Sequence, residues 1–118
     1  MLKLTIAAAM LMLAASPAFA AKQDFTLLNS TGYEISEVYV STSNTKKWEE
    51  DVLGQDVLAD EDDVDITFEG VGSACRYDLK VVYSDGEEAM WGGLDLCTIS
   101  TVEIKYNRKT GETSAVTD

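Results

Sequence analysis

Cys75 and Cys97 are the residues of this chain with the most definite chemistry, and the sequence holds no other cysteine. A cysteine pair serves as a redox couple, a thiolate metal site or a structural bridge. Redox and metal sites favour C-x-x-C spacing and an electropositive setting. Here 21 residues intervene in a strongly acidic chain, so a structural disulfide is the expected use. The intervening sequence reads as one hairpin. In Cys75-Arg76-Tyr77-Asp78-Leu79-Lys80-Val81-Val82-Tyr83 the odd positions are cysteine or apolar, as on one face of a strand. Asp85-Gly86 suits a two-residue turn with positive φ at both centres. Pairing Ser84 with Glu87 then sets Cys75 opposite Leu96, and a bulge at Gly92-Gly93 would bring Cys97 into place. Such a bridge closes a loop of about 20 residues, worth on the order of 3 kcal/mol in the chain-entropy model.

Oxygen chemistry is next. Asp56, Asp60, Glu61, Asp62, Asp63 and Asp65 crowd six carboxylates into ten residues, and hard cations take oxygen ligands. An EF-hand loop needs acids or amides at alternate positions, but from Asp60 these are Asp62 and Val64. A solvated acidic loop is expected, with no metal. Ser43-Asn44-Thr45-Lys46 matches S-x-x-K without its companion motifs and reads as a polar turn. Asn29-Ser30-Thr31 matches a glycosylation sequon and likewise reads as a turn. With no histidine, His-based catalysis and His metal ligands are excluded. No catalytic residue or cofactor is expected, and the chain is not expected to be an enzyme.

Aromatic side chains offer binding chemistry, because they bring large area with few rotamers to freeze. Trp91 falls on the return limb of the cysteine hairpin and is expected in the core. Trp48, beside Lys46, Lys47, Glu49 and Glu50, and Tyr39, on a strand rich in β-branched residues, are the candidates for contact with a partner.

The elements that must position these residues follow from the pattern. Lys3 precedes an apolar stretch, Leu4 to Ala15, too short for a bilayer. Ser16-Pro17 and Ala18-Phe19-Ala20 then complete a signal peptide with cleavage after Ala20. Residues 1–20 are thus expected to be removed, leaving 21–118 as one periplasmic or extracellular domain with no second apolar run of membrane length. The whole chain has 118 residues and net charge −12; residues 1–20 carry only Lys3, so their loss makes it −13. That charge argues against nucleic acid. Strands are expected at Phe25–Leu28, Tyr33–Val40, Val64–Phe68, the two hairpin limbs and Val102–Tyr106, with a bulge near Ser36-Glu37. Residues 112–118 form either a weak edge strand or a frayed tail, and 48–54 form one or two helical turns ended by Gly54. Six to seven short strands with one disulfide imply an all-β fold, a small antiparallel, immunoglobulin-like β-sandwich; a small closed barrel is the alternative. The inward positions are Phe25, Leu27, Ile35, Val38, Val40, Val64, Ile66, Phe68, Tyr77, Leu79, Val81, Trp91, Leu96, Val102 and Ile104.

Several segments together carry a family likeness: Phe25–Asn29, Thr31–Ile35 and Val38–Ser41; Trp48-Glu49-Glu50-Asp51-Val52-Leu53-Gly54-Gln55-Asp56-Val57-Leu58; Cys75–Val81, Asp85-Gly86, Trp91 and Leu94–Cys97. From Asp24 to Tyr106 the chain resembles a family of small exported bacterial proteins whose function is not established. The cysteine hairpin is the most specific part. The resemblance implies a Gly-containing turn before the strand at Val64; here that turn is Asp60-Glu61-Asp62-Asp63. Some proteins of this kind carry the name argininosuccinate lyase. That lyase class uses a long helical bundle and a Ser-rich loop, and this short β-patterned chain has neither pattern. The expected function is therefore a non-catalytic binding or interaction module for a protein or peptide. The alternative is an acidic inhibitor or scavenger of a cationic partner, such as a basic hydrolase, and a small hydrolase is a distant third.

Overall fold

The computed structural model describes residues 21–45, 48–68 and 72–118; the expected signal peptide, residues 1–20, lies outside them. Among the described residues there are seven strands and no helix. They are β1 (Phe25–Asn29), β2 (Ile35–Thr42), β3 (Asp63–Ile66), β4 (Arg76–Tyr83), β5 (Glu88–Asp95), β6 (Thr101–Asn107) and β7 (Glu112–Thr117). One sheet has the order β3-β1-β6-β7 and the other β2-β4-β5. The two form a small β-sandwich and do not close into a barrel. Inward residues at every second position make the core, because a strand turns alternate side chains to opposite faces. All the expected inward positions are buried except Val64 and Phe68, which are partly buried and pack against the core. Tyr83, Ala89 and Leu94 complete it from the hairpin, and Leu53 and Leu58 from the β2–β3 connection.

One pairing departs from the antiparallel expectation: β1 runs parallel to β6, Thr26 opposite Thr101 through Asn29 opposite Ile104. Parallel neighbours need a long crossover. The chain supplies one: after β1 it crosses to the opposite sheet for β2, returns for β3 on the other side of β1, and crosses again for β4 and β5 before reaching β6.

The cysteine hairpin forms with a shifted register. Its turn is the three-residue loop Ser84–Gly86, closed by Tyr83 N–H donating to Glu87 O at 2.7 Å and Gly86 N–H donating to Tyr83 O at 2.8 Å, with Gly86 at φ 92°. Three-residue loops place a left-handed residue last, where Gly fits. Pairing therefore starts at Val82 with Glu88, one residue off the expected register. The bulge falls where expected, opposite Asp78, whose Oδ1 accepts the Gly93 N–H at 3.0 Å. Leu96 N–H consequently donates to Cys75 O, and the disulfide joins Cys75 to Cys97 just beyond the strand ends, with Cα atoms 5.1 Å apart. It staples the open end of a hairpin within one sheet, whereas antibody domains bridge their two sheets. The bulge between Ile35 and Glu37 is present, and β7 pairs with β6 along its length, so residues 112–117 are an edge strand.

No helix forms at 48–54. Val52 N–H donates to Val38 O at 2.8 Å, and Val38 N–H donates to Asp51 Oδ1 at 2.8 Å. Ile35 and Leu58 exchange both backbone bonds further along. The open edge of β2 thus claims the backbone and side-chain groups that a helix would have used. The charges also oppose a helix, since Lys46 and Lys47 precede the segment, at what would be its positive end, and Glu49, Glu50 and Asp51 lie further along it. Gly54 is left-handed, φ 61°, but ends a turn and not a helix.

Asn29, fully buried at the end of β1, fixes the turn into β2. Its Nδ2 donates to Tyr33 O at 2.8 Å and to Leu58 O at 3.1 Å. Its Oδ1 accepts from Thr31 N–H at 3.1 Å and Thr31 Oγ1 at 2.6 Å. An amide has two donors and two acceptor sites, and here each is used. A residue so enclosed cannot carry a glycan in the folded protein. Replacing Asn29 by Asp keeps the shape, removes both donors and buries a carboxyl. Burial raises a carboxyl's pKa, so the penalty is small below about pH 4 and grows as pH rises. At neutral pH, Asn29→Asp is expected to cost roughly 2–4 kcal/mol in urea unfolding, and less at pH 4.

The turn before β3 holds a strained residue. Asp62 N–H donates to Ala59 O at 3.1 Å, and Glu61, third in that turn, has φ 74°. A turn with positive φ at its third position prefers Gly or Asn, and a side chain there costs about 1–2 kcal/mol. Glu61→Gly is expected to stabilise the protein by about 0.5–1 kcal/mol in chemical denaturation, the strain relieved being partly offset by glycine's freer unfolded chain.

Candidate functional site

The solvent face of the β2-β4-β5 sheet carries side chains that the core does not use. The register places Tyr39 opposite Lys80 and Lys80 opposite Met90; Glu37, Val82 and Glu88 form the next row. Trp48 comes from the chain just after β2. The Lys80 ammonium lies 4.9 Å from the centre of the Tyr39 ring and 5.4 Å from that of Trp48. A cation within about 6 Å of a ring face is attracted to it, worth ~0.5–1 kcal/mol each at exposed sites. Tyr39 and Trp48 are half-buried against this cation, and Met90 beside it is 51% exposed. The Tyr39 hydroxyl donates to the Glu37 carboxylate. That hydrogen bond, reinforced by burial and by the charge of Glu37, pushes the phenol pKa up to about 12.

The Trp48 strap is anchored along the sheet edge. Glu49 N–H donates to the buried Ser41 Oγ at 3.0 Å, followed by the Val52 and Asp51 bonds to Val38. Between this strap and the end of β3 lies a groove of about 450 Å³. Val52, Ile66, Phe68 and Tyr77 give it apolar walls, and the exposed Glu49 and Glu50 line it with charge. The two residues proposed from sequence, Tyr39 and Trp48, are thus brought together. Lys80 and Met90 were not recognised, because only the strand register sets them beside Tyr39.

The remaining candidates have structural uses. Asp60 Oδ1 accepts the Gly32 N–H at 2.8 Å, and Asp65 Oδ1 accepts from Thr26 Oγ1 at 2.7 Å. Among the described residues the close group of possible metal donors is Cys75, Asp95 and Cys97, whose sulfurs are joined to each other. Ser43 Oγ donates to Asp78 Oδ1 at 2.7 Å; Lys46 lies outside the described residues.

A second cation–aromatic cluster closes the pole opposite the disulfide. The Arg108 guanidinium carbon sits 3.6 Å from the Tyr33 ring centre and 5.0 Å from that of Tyr83, which stacks on Tyr106. Its nitrogens approach Asp85 at 2.6 Å and Glu87 at 2.7 Å. The hydrogen bond from Arg108 holds the Asp85 carboxyl below its ordinary range. Burial pushes Tyr83 up to about 12. Arg108 stands in a turn, where nothing in the local pattern distinguishes it from a solvated charge.

Glu37 is the lever on Tyr39. Glu37→Gln is expected to return its ionisation towards the ordinary phenol value of about 10. In an alkaline titration followed at 295 nm, one tyrosine's worth of absorbance should move out of the late phase near pH 12. An unchanged titration would place Tyr39 away from Glu37.

No family model and no curated protein matches the chain. A structure solved by NMR for a protein from Eubacterium rectale is similar to it, at 20% identity and a TM-score of 0.57. The likeness covers 80% of this chain and 85% of that one. Similarity at this level extends to the fold.

Proposed function

We propose that this chain is an exported, non-catalytic interaction module that engages a protein or peptide through the Tyr39–Lys80–Trp48 face. The observation that supports this reading is the pair of aromatic rings set around one ammonium, beside exposed Met90, on the outside of a well-paired sheet. Aromatic residues and Met are enriched in protein interfaces. Here they lie outside the core that stabilises the fold. Export is supported by the leader pattern and by the disulfide, since structural disulfides persist in oxidising compartments. Among the described residues no helix is long and apolar enough to cross a membrane.

A second reading, an acidic inhibitor or scavenger of a cationic partner, draws on the charge around the same face. Glu37 and Glu88 flank it in the strand register, and Glu49 and Glu50 follow Trp48. The two readings differ in their response to salt, because exposed charges are screened beyond about 8 Å at physiological ionic strength.

The test is capture of a partner from a periplasmic extract on the immobilised protein, at low and at moderate salt, with Trp48→Ala and Tyr39→Ala alongside. An aromatic interface should keep its partner at moderate salt and lose it in both variants. Binding that vanishes with salt and ignores both variants would favour the scavenger. Binding insensitive to both would discard this face.

A further inference from the structure

The first described residues form a turn at the disulfide pole. Asp24 N–H donates to Ala21 O at 3.1 Å, and Ala21 N–H donates to Asp24 Oδ2 at 3.1 Å. The other carboxylate oxygen, Oδ1, accepts the Phe68 N–H at 2.9 Å, just past β3. Between them Gln23, 3% exposed, donates from Nε2 to Gly72 O at 3.2 Å and Ala74 O at 2.9 Å. Asp24 therefore joins two segments that are 44 residues apart, and one of its two partners is the nitrogen of Ala21. That nitrogen belongs to the bond at which the leader pattern places cleavage.

We infer that hydrolysis of the Ala20–Ala21 bond, besides releasing the leader, creates an ion pair between the new α-ammonium of Ala21 and the Asp24 carboxylate. The inference rests on the export reading. One water adds across the amide: Ala20 keeps the hydroxyl as its carboxyl group and the Ala21 nitrogen gains a hydrogen. At neutral pH the carboxyl proton passes to the amine, leaving one carboxylate and one ammonium. The single neutral N–H that faced Asp24 becomes a charged group with three donors. Hydrogen bonds with ionised partners are roughly twice as strong as neutral ones. Processing thereby tightens the pole where β1 begins and β3 ends, and an uncut chain lacks the charge to do so. Asp65 lines the same small pocket as Asp24, and Lys22 is adjacent and exposed. Asp65 adds to the attraction for an ammonium, and Lys22 opposes it from solvent.

The test starts from the full chain, purified with its leader and then cut by a leader peptidase, beside the same chain recovered after export. Sequencing and intact mass should give Ala21 as the first residue. In the cut protein the α-amine should titrate about one unit above its ordinary 7.7–8.0, and at the ordinary value in Asp24→Asn. A group whose pKa is raised on folding contributes stability below its unfolded pKa and loses it as pH rises through the folded one. The cut protein should thus melt a few degrees above the uncut chain at pH 7, and that advantage should fade by about pH 10 and be absent in Asp24→Asn. An α-amine with an ordinary pKa, a cut at another bond, or an equal advantage in Asp24→Asn would overturn the inference. A chain that keeps its leader in the cell, yet shows the raised α-amine once cut in vitro, would remove the export reading and leave the pairing standing.

Discussion

The buried amide of Asn29 is the contact on which the rest of the architecture depends. A β-sandwich needs its chain to leave one sheet and enter the other without stranding polar backbone groups inside. Asn29 does this at the first crossing. Its donors hold the carbonyls of Tyr33 and Leu58, and its acceptor holds Thr31. Its own backbone pairs with Asp62 and Glu61. One side chain thus fixes the β1–β2 turn, the end of the β2–β3 connection and the entry to β3. The strained conformation of Glu61 follows, because Glu61 N–H must reach Asn29 O at 2.7 Å. The acidic tract is carried outwards by the same arrangement.

The two ends of the sandwich are held by unlike means. At one pole the disulfide ties the ends of the β4–β5 hairpin, and Gln23 and Asp24 bind the loops beside it. At the other, Arg108 from the β6–β7 turn lies against Tyr33 and Tyr83 and pairs with Asp85 and Glu87. That cluster links turns from both sheets and adds polar contacts to the apolar packing between them. The disulfide acts within one sheet and limits the unfolded chain; the arginine acts between sheets in the folded one.

The parts of this design legible in the sequence are those encoded locally. Alternation over Cys75–Tyr83 and Val102–Tyr106 identifies core residues, and Gly92-Gly93 marks the bulge in the cysteine hairpin. The hairpin turn was placed correctly but counted one residue short, because Asp-Gly fits both two- and three-residue loops. What local pattern cannot show is where unpaired backbone groups find partners. The 48–58 segment has helix-like spacing of Trp48 and Val52, yet the open edge of β2 recruits it. Leu53 and Leu58 enter the core from irregular backbone with no period to reveal them. Asn29 read as a plain turn residue because burial depends on the chain 29 residues later. For the candidate site, sequence supplied Tyr39 and Trp48, while Lys80 and Met90 required the register.

The handling of strand edges also bears on how a partner would bind. Exposed edges invite pairing with another chain. The β2 edge is covered by the 48–58 strap. The short β3 edge presents Asp63 and Asp65, both exposed, and charge discourages an added strand. The β5 and β7 edges pack against each other, with Trp91 Nε1 donating to Ser114 O at 2.8 Å. Little strand-edge backbone is thus left open among the described residues, and the outward face of the β2-β4-β5 sheet presents side chains instead. The acid excess belongs to the same design. It guards the β3 edge and rims the face, and charge at both places limits unwanted association.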